Sequence, residues 1–297
     1  MTSGIDEAGA VGRVVGLWRF PVKSFQGEPA TTLTLTHTGV VGDRQWAVID
    51  LDTGLALSAK TVPALLEAAA ATVGTGAGDG AGEGDGVEVT LPDGTVARAS
   101  DPEADAALSA WLGRPVALRH AADPNVGGDR PVTYEMTFDP PDDEAELVDI
   151  PVPDGSYVDL FAVHVLTTTS LATVAAARPE GDWDIRRFRP NVLVETPPAP
   201  AAALGYPEDA WVGRRVRIGT GGAGLDVVMR TMRCALPLRP QPAFADVTRS
   251  APALPRDVDI FRTLSAIHDN DLGAYAAVAE PGAIGLGDEL VVAAADL

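Results

Sequence analysis

The only cysteine of the chain, Cys234, directly follows Arg233, with Arg230 close upstream. Guanidinium groups near a thiol favour its thiolate, the form that acts as nucleophile and metal ligand. The plainer alternative is an inert, buried small side chain. Eight of the twenty arginines (Arg186, Arg187, Arg189, Arg214, Arg215, Arg217, Arg230 and Arg233) fall within 48 residues. Such a concentration suits phosphate or another polyanion, because the guanidinium fork makes bidentate, charge-assisted hydrogen bonds. The alternative is a set of surface ion pairs with the many acids. Strand alternation divides the cluster, with Arg215 and Arg217 on one face and Arg214 with Val216 on the other. Near the start, Pro21-Val22-Lys23-Ser24 offers an ammonium and a hydroxyl to an anion. In Gly39-x-x-Gly42-Asp43-Arg44 the carboxylate is placed to orient the arginine, although turn chemistry alone accounts for Gly42-Asp43.

Other chemistries lack their residues. His37, His120, His164 and His268 have no ligand spacing and read as solvated or packed side chains. There is no Walker A sequence, no Gly-x-Ser-x-Gly elbow and no His-Glu-x-x-His. Gly219, Gly221, Gly222 and Gly224 lie between two expected strands, which is not the strand-to-helix setting of a dinucleotide fingerprint. The net charge of −20 repels nucleic acid and anionic lipid, so no nucleic-acid partner is expected. One cysteine excludes a disulfide framework, a four-cysteine Fe–S cluster and an all-cysteine zinc site, and fits a reducing, cytoplasmic setting. No apolar run reaches about 18 residues, so no membrane span is expected. Residues 1–10, with Asp6 and Glu7, lack a basic region followed by an apolar one, which argues against a secretory signal. Only Lys23 and Lys60 are lysines, and a lysine retained in so arginine-rich a chain draws attention as a compact point charge.

These residues need elements to position them. A length of 297 residues with 46% hydrophobic content predicts a globular chain of two domains or one large one. Strands are expected over residues 12–18, 31–36 and 45–51, the last turning through Asp52-Thr53-Gly54 into 55–60. Residues 63–71 (PALLEAAAA) predict a helix, and the glycine-rich stretch 74–86 a flexible surface loop. A hairpin over 87–91 and 95–99 precedes a helix with Asp101 as N-cap and Gly113 as stop. Residues 121–153, rich in Pro and Asp, read as a linker or long crossing loop. Beyond it come strands over 157–166, 191–196, 214–218, 225–229, 275–279 and 289–292. A helix over 168–177 is capped by Thr168 or Thr169, and one over 257–267 places Ile260, Phe261, Leu264 and Ile267 on one face. Many short strands with few helices predict a mainly β (α+β) fold of barrels or strongly curved sheets with peripheral helices.

Taken in order, seven segments carry a family resemblance: FPVKS (20–24), TGVVGDRQWAVID (38–50), LTTTSL (166–171), RRFRPNVLVE (186–195), RC (233–234), PRDVDIFRTL (255–264) and GAYAAVAEPGAIGLGDEL (273–290). They resemble the MOSC family, named for the molybdenum-cofactor sulfurase C-terminal domain, together with its N-terminal β-barrel partner. RFRPN with a later RC is the more specific feature. The chain is similar in particular to amidoxime-reducing enzymes and to bacterial reductases of N-hydroxylated bases. The resemblance implies two β-barrel-like domains, the N-terminal one over 11–120 and a MOSC-type barrel over 154–293, joined by 121–153. It implies a pyranopterin molybdenum cofactor (molybdenum-molybdopterin), with Cys234 as the thiolate bound to the metal. Lys23, Ser24 and Arg44 would bind its phosphate or pterin, and Thr169, Ser170, Arg189 and Asn191 would complete the cradle, with Arg233 beside the ligand.

The activity so implied is a two-electron reduction of an N-hydroxylated small molecule. Relatives with their own [2Fe–2S] domain carry four further cysteines, so a separate ferredoxin-, flavin- or cytochrome-type protein would donate the electrons. The alternative is a molybdenum-cofactor or sulfur carrier, a sulfurtransferase without reductase turnover, with Cys234 bearing a persulfide. A looser family association is with pyridoxal phosphate binding. After RC this chain continues ALPLRPQP, where the family often has a hydroxyl-rich run before an acidic turn, and the 74–86 glycines are likewise outside the pattern.

Overall fold

The first strand buries Val14 and Leu17 on either side of a register shift between Val14 and Gly16, and two of its partners lie far along the chain. The computed structural model describes residues 10–73, 86–99, 101–123, 133–136, 148–151, 155–197, 204–220, 222–245 and 250–293. In chain order the first half carries β1 (Gly12–Arg19), β2 (Glu28–Ala30), β3 (Thr32–Thr36), β4 (Gly39–Val40) and β5 (Trp46–Asp50). These are followed by β6 (Ala69–Val73), β7 (Gly86–Thr90), β8 (Val96–Arg98), helix α1 (Ala104–Leu112) and β9 (Val116–His120). A hairpin of β10 (Thr133–Met136) and β11 (Val148–Pro151) comes next. The second half carries β12 (Val163–Thr167), α2 (Thr168–Ala177), β13 (Val192–Glu195), β14 (Arg215–Ile218) and β15 (Gly224–Met232). After β16 (Phe244–Ala245) and β17 (Ser250–Ala251) come α3 (Asp259–His268), β18 (Asp271–Glu280), β19 (Gly282–Gly285) and β20 (Glu289–Val292).

Seven strands close a barrel in the order β13-β12-β18-β15-β14-β20-β1, sealed by the antiparallel β1–β13 pair, and β2 extends it beside β1. Closure leaves few backbone edges exposed. Leu17, Val165, Val192, Val216, Leu225 and Leu290 fill the interior, each worth roughly 1.5–3 kcal/mol when fully buried. A second core, with Val48, Leu65, Val89, Leu108 and Leu118, is wrapped by the β5–β9 pair, the β6–β7–β8 sheet and α1. Gly113 ends α1 in the left-handed conformation at φ 66°, donating to the Ser109 carbonyl. A third cluster packs α2 and α3 on the outside of the barrel through Val174, Phe188, Leu238, Ile260 and Leu264. The fold is mainly β with peripheral helices, as the short-strand pattern predicts.

The halves are interwoven. β1 belongs to the barrel otherwise built from residues beyond 160, and β3 pairs with β19 at Leu33 opposite Ile284. Strands from the two sides of the 121–153 joint therefore pair with one another. Several element expectations change: residues 55–60 form no strand, and Glu103 rather than Asp101 precedes α1. Residues 63–71 form a 3-10 turn (Pro63–Glu67) and then strand β6, because Ala69–Val73 pairs along β7 and that ladder outweighs the helical preference of alanine. The strand expected over 157–166 exists only as Val163–Thr167, preceded by irregular backbone. The 121–153 stretch contains the β10–β11 hairpin, while its other residues beyond 123 lie outside the described ones. The glycine-rich loop likewise lies outside them, apart from Gly86, which opens β7. On α3 the buried stripe is Ile260, Leu264 and His268, one turn apart, and Ile267 is exposed. Among the described residues no helix is long and apolar enough to cross a membrane.

Candidate functional site

One cavity opens between the second and third cores, with Cys234 and Leu236 on the second and Phe188 on the third. It gathers residues from both halves of the chain, the setting in which ligand sites commonly form. Lys23, Ser24, Arg44, Arg189, Asn191, Arg233 and Cys234 all line it. Lys60, Asp159, His164 and Tyr275 line it as well.

The N-terminal wall is a laced turn. After β1 the chain bends so that Lys23 N donates to the Trp46 carbonyl (2.8 Å), Trp46 N to that of Pro21 (3.1 Å) and Arg44 N to that of Phe20 (2.7 Å). Asp43 is buried beneath this turn, where its Oδ1 accepts from Phe20 N at 2.7 Å and its Oδ2 pairs with Arg44. Ser24 Oγ accepts from Ala59 N at 2.9 Å. Behind the cavity wall, the Arg189 and Arg44 guanidiniums lie 4.1 and 4.6 Å from the Phe20 ring centroid.

The barrel wall comes from β12, from the segment leading into β13, from the end of β15 and from Tyr275 of β18. Arg189 Nη1 donates to the Phe25 carbonyl at 2.6 Å, tying this wall to the N-terminal turn. Arg233 leaves the end of β15, lies 5.5 Å from the Phe188 centroid and donates from Nη2 to the Phe188 carbonyl at 2.8 Å. Its Nε is buried without a partner, as is His164 Nε2. Asn191 is fully buried with its carboxamide already committed. Oδ1 accepts from His164 N (3.1 Å) and Arg44 Nη1 (3.2 Å), while Nδ2 donates to the Trp18 carbonyl (3.2 Å). It serves as a hub holding Arg44 to the barrel.

Five non-glycine residues among those described have positive φ, and three of them line the cavity: Ser24 (70°), Arg44 (48°) and Arg189 (53°). Each such residue costs about 1–2 kcal/mol, and strain of this kind gathers at functional sites. The other two, Asp269 and Asn270, follow α3. Asn270 clasps Arg233 through N–H to carbonyl bonds in both directions, at 2.9 and 2.6 Å.

The electrostatics are lopsided, since five cationic side chains and one carboxylate line the cavity of an acidic protein. Burial pulls the Lys23 ammonium below its usual range, against the opposing pull of Asp159. Burial also lowers Lys60, but Asp159, Cys234 and Tyr275 together outweigh it and the ammonium ends above its usual range. Asp159 is held far below the normal carboxylate range, because the two ammoniums overcome the effect of its own burial. Burial, then Arg44, lowers Arg189. Burial, then Arg233, keeps His164 neutral near pH 7, and burial raises the Tyr275 phenol.

Thr169 and Ser170 do not join this group and line no wall of the cavity. The N-cap of α2 is Thr167 rather than Thr168 or Thr169, and its hydroxyl accepts from Ser170 N. Ser170 Oγ donates to Glu208 Oε2 at 2.6 Å, Thr167 Oγ1 reaches the same oxygen at 2.7 Å, and Thr169 meets Thr196. Burial raises the fully enclosed Glu208 above the usual carboxylate range, against these hydrogen bonds. Such a group stabilises the fold below its unfolded pKa, and that contribution is lost as pH rises through the folded one. Glu208→Gln is therefore expected to have a higher thermal midpoint than wild type at pH 8 and no advantage at pH 4.5, a comparison that scanning calorimetry makes directly.

Of the eight clustered arginines only Arg189 and Arg233 line the cavity. Arg186 pairs with Asp184, Arg215 with Asp226 and Glu280, Arg217 with Glu280, and Arg230 with Asp271. Arg187 and Arg214 donate to backbone carbonyls. Lys60 and Asp159 are site residues that the sequence does not single out as such. The scarcity of lysine points at Lys60, whereas nothing in the sequence around Asp159 marks it.

The family model for the MOSC N-terminal β-barrel domain matches residues 11–112, and that for the MOSC domain matches residues 153–291. The chain belongs to the MOSC family. MOSC domains are associated with molybdenum-cofactor binding or sulfurase-like functions. No curated protein matches this MOSC chain in sequence. Among solved structures, the YUAD protein from Bacillus subtilis (APC1665) is 13% identical and covers 95% of this chain and 94% of its own, at a TM-score of 0.39. YiiM from Geobacillus stearothermophilus is 16% identical, covering 55% of this chain and 73% of its own at a TM-score of 0.30. Likenesses this weak carry nothing further.

Proposed function

We propose that this MOSC protein holds a pyranopterin molybdenum cofactor in the cavity and reduces N-hydroxylated small molecules with electrons from a separate ferredoxin-, flavin- or cytochrome-type protein. The observation that carries the reading is the meeting of the only cysteine with five cationic side chains and one carboxylate at a strained, interwoven junction. Those donors fit a phosphorylated anion that also needs a soft metal ligand. Arg233 Nε, buried without a partner, is what an anion-binding cradle leaves for its ligand.

Cys234 would hold the metal through its thiolate, a soft ligand. Lys23, Ser24, Arg44, Arg189 and Arg233 would hold the anionic and pterin parts, and Asn191 keeps Arg44 in place. When bound, the cofactor supplies two-electron chemistry that, with two protons, cleaves the substrate N–O bond and releases water. The Tyr275 hydroxyl, kept protonated by burial, is an O–H donor on the cavity wall. Exposed Leu160 and Met232 form an apolar rim that suits a substrate with an apolar body behind its N–O group.

Molybdenum per chain, measured on protein from hosts with and without cofactor synthesis, tests the reading. Wild-type protein without the metal in a cofactor-making host would sink it. Arg189→Met is expected to cut molybdenum retention through gel filtration about 10- to 100-fold, the value of a charge-assisted hydrogen bond. Ser170→Ala is expected to leave retention unchanged, since that hydroxyl is spent on Glu208.

One observation favours a carrier without turnover. The four residues after Cys234, Ala235, Leu236, Pro237 and Leu238, are buried and apolar and bring no acid or base to the metal side. A carrier binds molybdopterin yet gives no turnover with benzamidoxime and an artificial electron donor, whereas a reductase turns it over.

A further inference from the structure

Beyond the turn that follows Cys234 the chain doubles back beside itself. Gln241 and Leu254 form an antiparallel bridge, with N–H to carbonyl bonds of 3.0 and 2.8 Å, and Asp257 N donates to the Leu238 carbonyl at 3.1 Å. The same register sets Arg239 opposite Arg256. Like charges directly opposite across such a pair are destabilising. Burial, then Arg256, pulls the Arg239 guanidinium below its usual range. The nearby acids are spent elsewhere, Asp257 on Arg178 at 2.9 Å and Asp259 on Arg262 at 2.8 Å. Among the described residues neither Arg239 nor Arg256 has a carboxylate partner, although the chain holds 42 acids against 22 bases. Arg239 Nη2 donates to the Lys60 carbonyl at 3.0 Å, and its Nε is buried without a partner. Arg187 ties the two segments together through the Arg239 and Pro255 carbonyls, at 3.3 and 2.8 Å.

Arg256 also lines a groove of about 590 Å³ along α3, with Arg262, Leu238, Val258, Phe261 and Ala266. Val258 and Phe261 are half-buried and Ala266 is exposed, so an apolar floor meets solvent between arginines. Apolar centres with arginine about them are typical of protein interfaces. The groove and the cavity share one short piece of backbone. Leu236 lines the cavity and Leu238 the groove, in a single 3-10 turn (Leu236–Leu238) whose two-residue rise is about 4 Å. Arg239, Arg256 and Arg262 against Asp259 alone leave this face positive, on a protein whose net charge of −20 otherwise repels an acidic partner.

We propose that this face docks an acidic one-electron carrier protein of the ferredoxin type, with carboxylates on Arg239 and Arg256 and an apolar side chain in the groove along α3. The inference rests on the reductase reading above and gives its electron donor a surface. Each reduced carrier gives up one electron, so two successive dockings supply the pair that, with two protons, cleaves the N–O bond.

A purified acidic [2Fe–2S] ferredoxin is titrated into the full-length protein from a cofactor-making host, by calorimetry at low ionic strength. Wild type is expected to bind it, with an affinity that falls as salt rises. Arg256→Glu and Ala266→Glu, both at exposed positions, are each expected to weaken binding about tenfold or more. Arg98→Glu, the same charge reversal on exposed β8, is expected to leave it unchanged. Benzamidoxime turnover driven by ferredoxin should fall in Arg256→Glu, and turnover with an artificial donor should not. No ferredoxin binding by wild type, undiminished binding by Arg256→Glu, or an equal loss in Arg98→Glu overturns the proposal. A basic cytochrome c binding in place of ferredoxin, or a wild-type dimer that Arg256→Glu breaks, also overturns it, because the face then has another occupant. The two readings fail separately. Wild type that carries no molybdenum yet keeps this order of ferredoxin affinities removes the reductase and leaves the docking face. Molybdenum-loaded wild type that is active with an artificial donor, with ferredoxin affinity unchanged in Arg256→Glu, removes the face alone.

Discussion

On the reductase reading proposed above, Cys234→Ser is expected to drop turnover to the background of cofactor-free protein while leaving the fold intact. The substitution is nearly isosteric at a partly buried position on the edge of the second core, so the thermal midpoint should stay within about 2 °C of wild type. What changes is the donor. A serine oxygen is a hard, weakly acidic ligand in place of a soft thiolate, and it neither holds nor tunes a thiolate-selecting metal. Lys23, Arg44, Arg189 and Arg233 remain in place, so some of the cofactor should still co-purify. Turnover with benzamidoxime and molybdenum per chain should therefore fall by different amounts, turnover completely and metal partly. Full turnover in the variant would show that the metal does not need this thiolate.

Arg187→Met is expected to do the reverse, costing stability rather than chemistry. Arg187 lies two residues before Arg189 yet is fully buried away from the cavity. Nη1 donates to the Pro237 carbonyl at 2.9 Å and that of Arg239 at 3.3 Å, and Nη2 to that of Pro255 at 2.8 Å and to Asp182 at 3.3 Å. These bonds clamp the turn that follows Cys234 against the segment leading into α3. Methionine fills much of the volume but leaves three carbonyls and a carboxylate without this donor, a loss of about 3–5 kcal/mol. For a chain of this size that lowers the thermal midpoint by roughly 10 °C, which calorimetry reads directly. A shift under about 2 °C would mean the clamp is dispensable.

The contrast between these two arginines shows where sequence reading stops. Charge, spacing and family resemblance draw attention to the 186–233 region, and Arg189, Arg233 and Cys234 do meet in one cavity. Residue type alone cannot say that six of the eight arginines are ion pairs or carbonyl clamps, because that depends on which acid or carbonyl the fold brings within reach. Asn191 and Ser170 teach the same point, being polar residues of the expected cradle whose hydrogen bonds are consumed by the scaffold. Asp159 leaves no trace in the sequence, since its partners come from residues 23 and 60 across the interwoven halves. The period-two strands are largely legible, because alternation is local. Alanine-rich β6 is not, because its strand pairing is decided by β7. Nor is the closure of the barrel by β1, which rests on partners made far later in the chain.

That closure orders events during synthesis. β1 leaves the ribosome first, but it can pair with β13 only after residue 195 has emerged and with β20 only after residue 290. Lys23 and Ser24 ride on the turn after β1, while Cys234 and Tyr275 arrive far later in the chain. Until Tyr275 has emerged the cavity lacks part of its wall, so a shorter nascent chain cannot offer the whole site. Long-range pairing of this kind closes slowly. A ligand of this cavity would therefore meet it only after β1 has found β13 and β20, with the five cationic side chains already gathered.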